Sequence, residues 1–257
     1  MMYLIVCITT LLASSLTLVS GFGLGTILMP VFAFFFSVET AIAMTAIVHM
    51  ANNLFKLVVL GRNADKSILI KFAFPAIISA FLGAWLLTYF SELPIITSYV
   101  IGQREFQVTV VKSTIGILMI GFALVELLPR FEKIKFDKKW LPLGGVISGF
   151  FGGLSGHQGA FRSAFLSKAG LDKDTFIATG IAIAVLIDLT RTFVYIRHII
   201  TIGKETNWNL IYAAIIAAFI GVLVGSRMVE KMTLRFVQII VGVMLVFIGF
   251  LLGIGLI

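Results

Sequence analysis

Cysteine occurs once in 257 residues, and Cys7 lies inside an apolar run, so neither a disulfide framework nor a thiolate-rich metal site can form within one chain. Charge is scarce as well. Charged residues make up 12% of the sequence against 60% hydrophobic ones, and the mean hydropathy of +1.09 leaves too little polar surface for a soluble globule. No Gly-x-x-x-x-Gly-Lys-Ser/Thr loop is present, which excludes ATP hydrolysis by a P-loop. Long alternating strand patterns are missing too, and an outer-membrane barrel is disfavoured. Met1-Met2-Tyr3 supplies no basic n-region and no small-x-small site precedes Gly21, so cleavage of residues 1–20 as a signal peptide is not expected. The formal charge of +8 comes from basic residues in short loops beside apolar runs, not from one polar face, so nucleic acid is not expected as a partner.

What the chain does have is apolar length. Runs recur around residues 2–19, 22–38, 41–60, 67–90, 107–128, 141–167, 175–196, 207–226 and 236–257, most of them near the ~20 residues that span a hydrocarbon core. The fold class is therefore all-α, a polytopic membrane protein of about eight helical segments with the lipid bilayer as its surroundings. Residues 2–38 are nearly uncharged throughout, and one straight helix of that length at about 1.5 Å per residue would overrun a ~30 Å core. A break is expected at Ser20-Gly21-Phe22-Gly23-Leu24-Gly25, where three glycines permit a turn. A second break is expected at Gly152-Gly153-Leu154-Ser155-Gly156-His157-Gln158-Gly159.

These two breaks belong to an internal duplication. A shift of 135 positions lays Glu39 on Asp174, Thr40 on Thr175, Asn53 on Asp188, Lys56 on Arg191 and Arg62 on Arg197. The sequence divides into a first transmembrane repeat over 1–129, a basic linker over 130–139 and a second repeat over 140–257. If each broken segment enters and returns, the repeats are inverted. One side of the membrane then holds Arg62, Lys66, Lys71, Arg130, Lys133, Lys135, Lys138, Lys139, Lys168, Lys173, Arg227, Lys231 and Arg235, and the other only Arg104, Lys112, Arg197 and Lys204. Lys/Arg-rich loops are cytoplasmic, which puts the linker inside and both termini outside. Inverted repeats with broken helices are a common build for secondary transporters, with the binding site where the breaks meet.

Polar residues embedded in the apolar runs are the candidates for that site, since a basic residue at such depth costs roughly 2.5–3.5 kcal/mol on insertion scales. His49, Asn53 and Lys56 follow i, i+4, i+7 spacing on one helix face, with Asn52 beside them, and Asp188, Arg191 and Tyr195 repeat the spacing in the second half. Asp188 and Arg191 either pair only with each other or share in a site. Lys56 either reaches the headgroups near Arg62 or faces the bundle. Lys56, Arg162 and Arg191 outnumber the embedded acid Asp188, and that excess of positive charge calls for a small anionic substrate. Gly23, Gly25, Gly156 and Gly159 would let half-helix N-termini approach the anion, and His157 and Gln158 lie inside the second break as further donors. Gly221 and Gly225 are assigned to helix packing. Asp188, His49, His157 and Glu126 are the candidates for proton coupling, and Glu39 and Asp174 are read as helix caps with Thr40 and Thr175. No metal ligands and no cofactor are expected.

The segment Gly152 to Leu166, Ile187-Asp188-Leu189-Thr190-Arg191, and Gly21-Phe22-Gly23-Leu24-Gly25-Thr26-Ile27-Leu28-Met29-Pro30 resemble the sulfite exporter TauE/SafE family over essentially the whole chain. The resemblance implies an inner-membrane secondary transporter, not an enzyme, for sulfite, a sulfonate or a related sulfur oxyanion. An anion channel shares these features. Gly153-Leu154-Ser155-Gly156 also matches the nucleophile turn of intramembrane serine proteases, but that serine needs a histidine base, and His157 is expected to point elsewhere. The sequence leaves open which anion is carried, whether it is imported or exported, and whether the chain forms a homo-oligomer.

Overall fold

The computed structural model describes residues 1–20, 24–128, 136–202, 207–228 and 234–257. Ten α-helices are present among them: α1 (Met2–Ser20), α2 (Leu24–Ala33), α3 (Val38–Leu60), α4 (Lys66–Ser91), α5 (Val110–Leu127), α6 (Leu141–Ser155), α7 (Gly159–Leu166), α8 (Lys173–Ile202), α9 (Trp208–Met228) and α10 (Leu234–Gly253). Four spans are long and apolar enough to cross a membrane: Val38–Asn63, Lys66–Ser91, Lys173–Tyr195 and Trp208–Gly225. Their outer faces carry what lipid requires, as on α4, where Ile70, Phe74, Phe81 and Trp85 are all exposed. The chain is an all-α polytopic membrane protein.

Ten described helices replace the expected eight because each glycine break adds one. α1 ends before α2 begins at Leu24, and α6 ends at Ser155 before α7 begins at Gly159. Gly21, Phe22 and Gly23 of the first break lie outside the described residues, as does 130–135 of the linker.

The structure adds a β-hairpin that the sequence reading lacks, β1 (Thr97–Ile101) paired antiparallel with β2 (Arg104–Val108). Gly102 turns it with φ +66°, a backbone region that costs glycine little. The Tyr99 and Phe106 rings stack 5.7 Å apart, and the Tyr99 hydroxyl donates to the Ile254 carbonyl beyond α10.

Helix starts correct a second expectation. The Ser37 hydroxyl accepts from the Thr40 N–H (3.4 Å), and Asp172 accepts from the Asp174 and Thr175 N–H groups (3.0 Å each). Glu39 and Asp174 sit inside first turns, two residues past the side chains that cap, where their charge still complements the helix N-terminus. Hydrogen bonds from the Thr175 backbone and hydroxyl hold the exposed Asp172 carboxyl below the ordinary carboxylate range.

Small residues decide the packing. On α6, a Cβ added at Gly145, Gly149 or Gly153 would meet the Phe72, Ala76 or Ala80 carbonyl of α4 at 2.2, 2.2 and 2.0 Å. The glycines at every fourth position form a groove into which α4 backbone fits. On α9, Gly221 and Gly225 meet the Leu11 and Ser15 carbonyls of α1 at 2.5 Å in the same way, and Ser14 and Ser15 donate back to Ala218 and Gly221. So α1 lies on α9 as α6 lies on α4, the same pairing with the halves exchanged, while α3 packs on α8 and α5 on α10.

Candidate functional site

Buried polarity concentrates where α3 crosses α8. Asp188 is fully buried, and its carboxylate accepts three hydrogen bonds and pairs with one guanidinium. Oδ2 receives His49 Nδ1–H and Asn53 Nδ2–H, both at 2.7 Å, from α3. Oδ1 accepts from Gln158 Nε2–H at 3.2 Å, from the break between α6 and α7, and forms an ion pair with Arg191 Nη2 at 3.0 Å, from the next turn of α8, a nitrogen that also lies 3.4 Å from His49 Nδ1. A buried charge is tolerated only with such partners. Asn53 and Asp188, which coincide in the 135-residue shift, thus touch each other.

The breaks bring backbone to the same place. Gly156 closes α6 with φ +82°, a left-handed cap that glycine adopts without strain, and an added Cβ there would lie 2.5 Å from Arg191 Nη1. A Cβ at Gly25, in the first turn of α2, would lie 3.6 Å from both His49 and Thr45 and 3.8 Å from the Gly156 carbonyl. Gly159 is buried as the first residue of α7. Gln158 is fixed from two directions, since its carbonyl accepts from Ser148 Oγ (3.0 Å) and its Oε1 from Arg162 Nη1 (3.2 Å).

Several donors remain unused. Lys56 is 5% exposed and makes no hydrogen bond or ion pair among the described residues, so it does not reach out to headgroups. Its charged neighbour is Arg162, of the same sign. Arg191 Nε, Asn52 Nδ2, His157 Nε2, Thr45 Oγ1 and Thr192 Oγ1 are buried without a partner among the described residues. The α3 face is therefore longer than the sequence reading drew it. Thr45, His49, Asn52 and Lys56 follow i, i+4, i+7, i+11 spacing, a signal that was available one turn further back.

The structure brings His49, Asn53, Gln158, Asp188 and Arg191 into one network, with Lys56, Arg162, Gly25, Gly156 and Gly159 around it. Asp188 and Arg191 do pair, yet neither is exhausted by the pair. His157 turns to the opposite side, stacked on Phe122 at 4.7 Å among Phe151 and Phe161. Its Nδ1 is 3.1 Å from both the carbonyl and the hydroxyl of Ser155, which corrects the expectation that it points away from that serine. The hydroxyl donates to the Phe151 carbonyl (3.1 Å) inside its own helix. Gly23 and the Glu126 side chain lie outside the described residues.

A cavity of about 210 Å³ opens beside the first turns of α3 and the end of α4, lined by Glu39, Leu87, Thr88, Ser91, Glu92 and Tyr195. Tyr195, two turns along α8 from Asp188, donates its hydroxyl to the Gly153 carbonyl at the second break.

The family model described as sulfite exporter TauE/SafE matches residues 6–252, nearly the full length. No curated protein sequence matches the chain.

Proposed function

The chain belongs to the sulfite exporter TauE/SafE family of membrane transporters, and from that membership we propose that it carries sulfite, a sulfonate or a related sulfur oxyanion by alternating access between two inverted repeats. It acts as a transporter and not as an enzyme. The observation that carries the anion reading is Lys56, a buried cation without a hydrogen bond or ion pair among the described residues, whose charged neighbour is another cation, Arg162. An anion is the partner that Lys56 lacks, Arg162 supplies a second positive charge beside it, and the free donors at Arg191 Nε and Asn52 Nδ2 supply hydrogen bonds to its oxygens.

The exchanged pairing of α1 with α9 and α6 with α4 supports treating 1–129 and 140–257 as repeats that rock against each other, with the site between them. The cavity ending at Tyr195 is its outer vestibule in this scheme. Glu39 and Glu92 at its mouth disfavour re-entry of an anion already released, which fits export.

A thermal-shift screen of purified protein against sulfite, thiosulfate, sulfoacetate and sulfate tests this, because a ligand bound only by the native state raises the melting point. Sulfite or a sulfonate should raise it in wild type. Lys56→Ala and Arg162→Ala should remove the response while leaving inserted, monodisperse protein, since a lost charged partner costs a buried ligand about 2–5 kcal/mol. No response to any of these anions in wild type would overturn the reading.

A further inference from the structure

The donors assigned to the substrate are, in this structure, already bound to a carboxylate. His49, Asn53 and Gln158 donate hydrogen bonds to Asp188 and the Arg191 guanidinium pairs with it, from two helices and a break, the kind of partners that an oxyanion takes. We propose that Asp188 is a tethered stand-in for the transported anion, holding the site's donors when it is empty and giving them up by taking a proton, so that one proton travels with each anion. The proposal rests on the anion reading above and specifies how that site is emptied and filled.

Charge conservation carries the argument. Around Asp188 lie His49 and Lys56 on α3, Arg162 on α7, and Arg191 and Tyr195 on α8, with His157 at the break near Arg191. With the histidines neutral and Tyr195 protonated, three cations and one carboxylate occupy the buried site. A monoanion entering while Asp188 keeps its charge must share donors with a second anion beside it. Protonating Asp188 as the monoanion enters replaces one negative charge by another, so the buried total is unchanged and two anions never lie side by side, competing for the same donors, in a medium of low dielectric.

The proton comes from water on the side where the anion enters and leaves to water on the other side. Once Oδ2 carries it, the oxygen becomes a donor. His49 can relay the proton: Nδ1 gives its proton to Oδ2 as Nε2 takes one from water, so the histidine changes tautomer and not charge, and Nδ1 then accepts from the protonated Oδ2. Arg191 and Gln158, released from Oδ1, then turn to the substrate. Gly156 matters here because the Arg191 guanidinium lies against it with no side chain in the way.

Asp188→Asn tests this, since asparagine has the shape of the protonated acid and cannot titrate. Sulfite affinity would be measured by thermal shift for wild type and for D188N at pH 6 and pH 8. Sulfite has the same ionic forms in both samples, so the ratio of the two affinities isolates the carboxylate. D188N should bind at least as tightly as wild type at pH 6. Between pH 6 and pH 8 wild type should weaken relative to D188N by tenfold or more. In proteoliposomes D188N should exchange labelled sulfite across the membrane yet fail to accumulate it against a pH gradient.

A ratio that stays constant with pH, or weaker binding by D188N at both values, overturns the proposal while leaving the anion site standing. Absence of sulfite binding by wild type overturns both. Should D188N fail to fold, the infrared difference spectrum of wild type on adding sulfite at pH 6 decides. A new protonated-carboxyl band is the expected result, and its absence overturns the proposal.

Discussion

Lys56 is where burial and charge conflict most openly. An ammonium removed from water without a counter-charge lowers the stability of the empty protein, and only the ligand repays that. Lys56→Met keeps the length and apolar stem of the side chain and removes the charge. The melting point of the ligand-free protein should rise by a few degrees, and the further rise on adding sulfite should disappear. A fall on substitution, with the sulfite response intact, would mean that Lys56 packs and does not bind. Most of this site was legible at the residue scale, because a lysine, two arginines and an aspartate stand out in apolar helices whatever the fold. Two things were not. Spacing places Asn53 and Asp188 on helix faces, but which faces meet is set by packing between halves, and that is not written in either half alone. His157 looked equivalent to Gln158 as a donor in the second break. Its ring instead joins Phe122, Phe151 and Phe161, a preference decided by aromatic contacts brought from α5 and α7.

At the scale of elements, different glycines do two different jobs. Gly149 and Gly221 lie in grooves where a neighbouring backbone fills the space of the missing side chain. Gly156 instead combines a positive φ with the contact to Arg191. Gly149→Val or Gly221→Val should therefore lower thermal stability by several degrees, or stop insertion, while any folded protein keeps near-normal sulfite affinity. Gly156→Ala should do the reverse in proportion, with a strain cost of about 1–2 kcal/mol and a larger loss of affinity as Arg191 is displaced. Parallel measurements of melting point and sulfite affinity separate the two. Equal loss of stability with equal retention of affinity would make the breaks a packing device only. The breaks themselves were readable, since three glycines in five residues have few other uses inside an apolar run. The hairpin after α4 was not read, although Ile95-Ile96-Thr97-Ser98-Tyr99-Val100-Ile101 followed by Gly102 is a strand and turn signal. Next to helices of twenty residues, strands of five carry little weight. The caps at Ser37 and Asp172 were missed by two residues for a related reason: the duplication drew attention to Glu39 and Asp174, which carry the same charge, although the same shift lays Ser37 on Asp172, two residue types that cap helices.

For the whole molecule the open question is orientation, and charge is the quantity that bears on it. The loops assigned to one side hold thirteen lysines and arginines and those on the other hold four, a bias that favours an inside position for the first group. The assignment depends on α1 with α2, and α6 with α7, each entering and returning as a pair, since a single crossing by either would shift every later loop to the other side. In the structure α2 packs on α1, α7 on α6 and α3 on α8. The chain's two ends should then lie outside and residues 130–139 inside. In a Cys7→Ser background, a cysteine placed at Lys135 should resist a membrane-impermeant thiol reagent applied to intact cells and react after the cells are opened. One placed at Arg104, in the hairpin, should react at once. A fluorescent protein that matures only in the cytoplasm should stay dark when fused after Ile257. Labelling of position 135 from outside, together with a bright fusion, would reverse the orientation. Labelling at 135 with a dark fusion would show that the second broken segment crosses the membrane instead of returning, which overturns the paired entry and return on which the inverted arrangement rests.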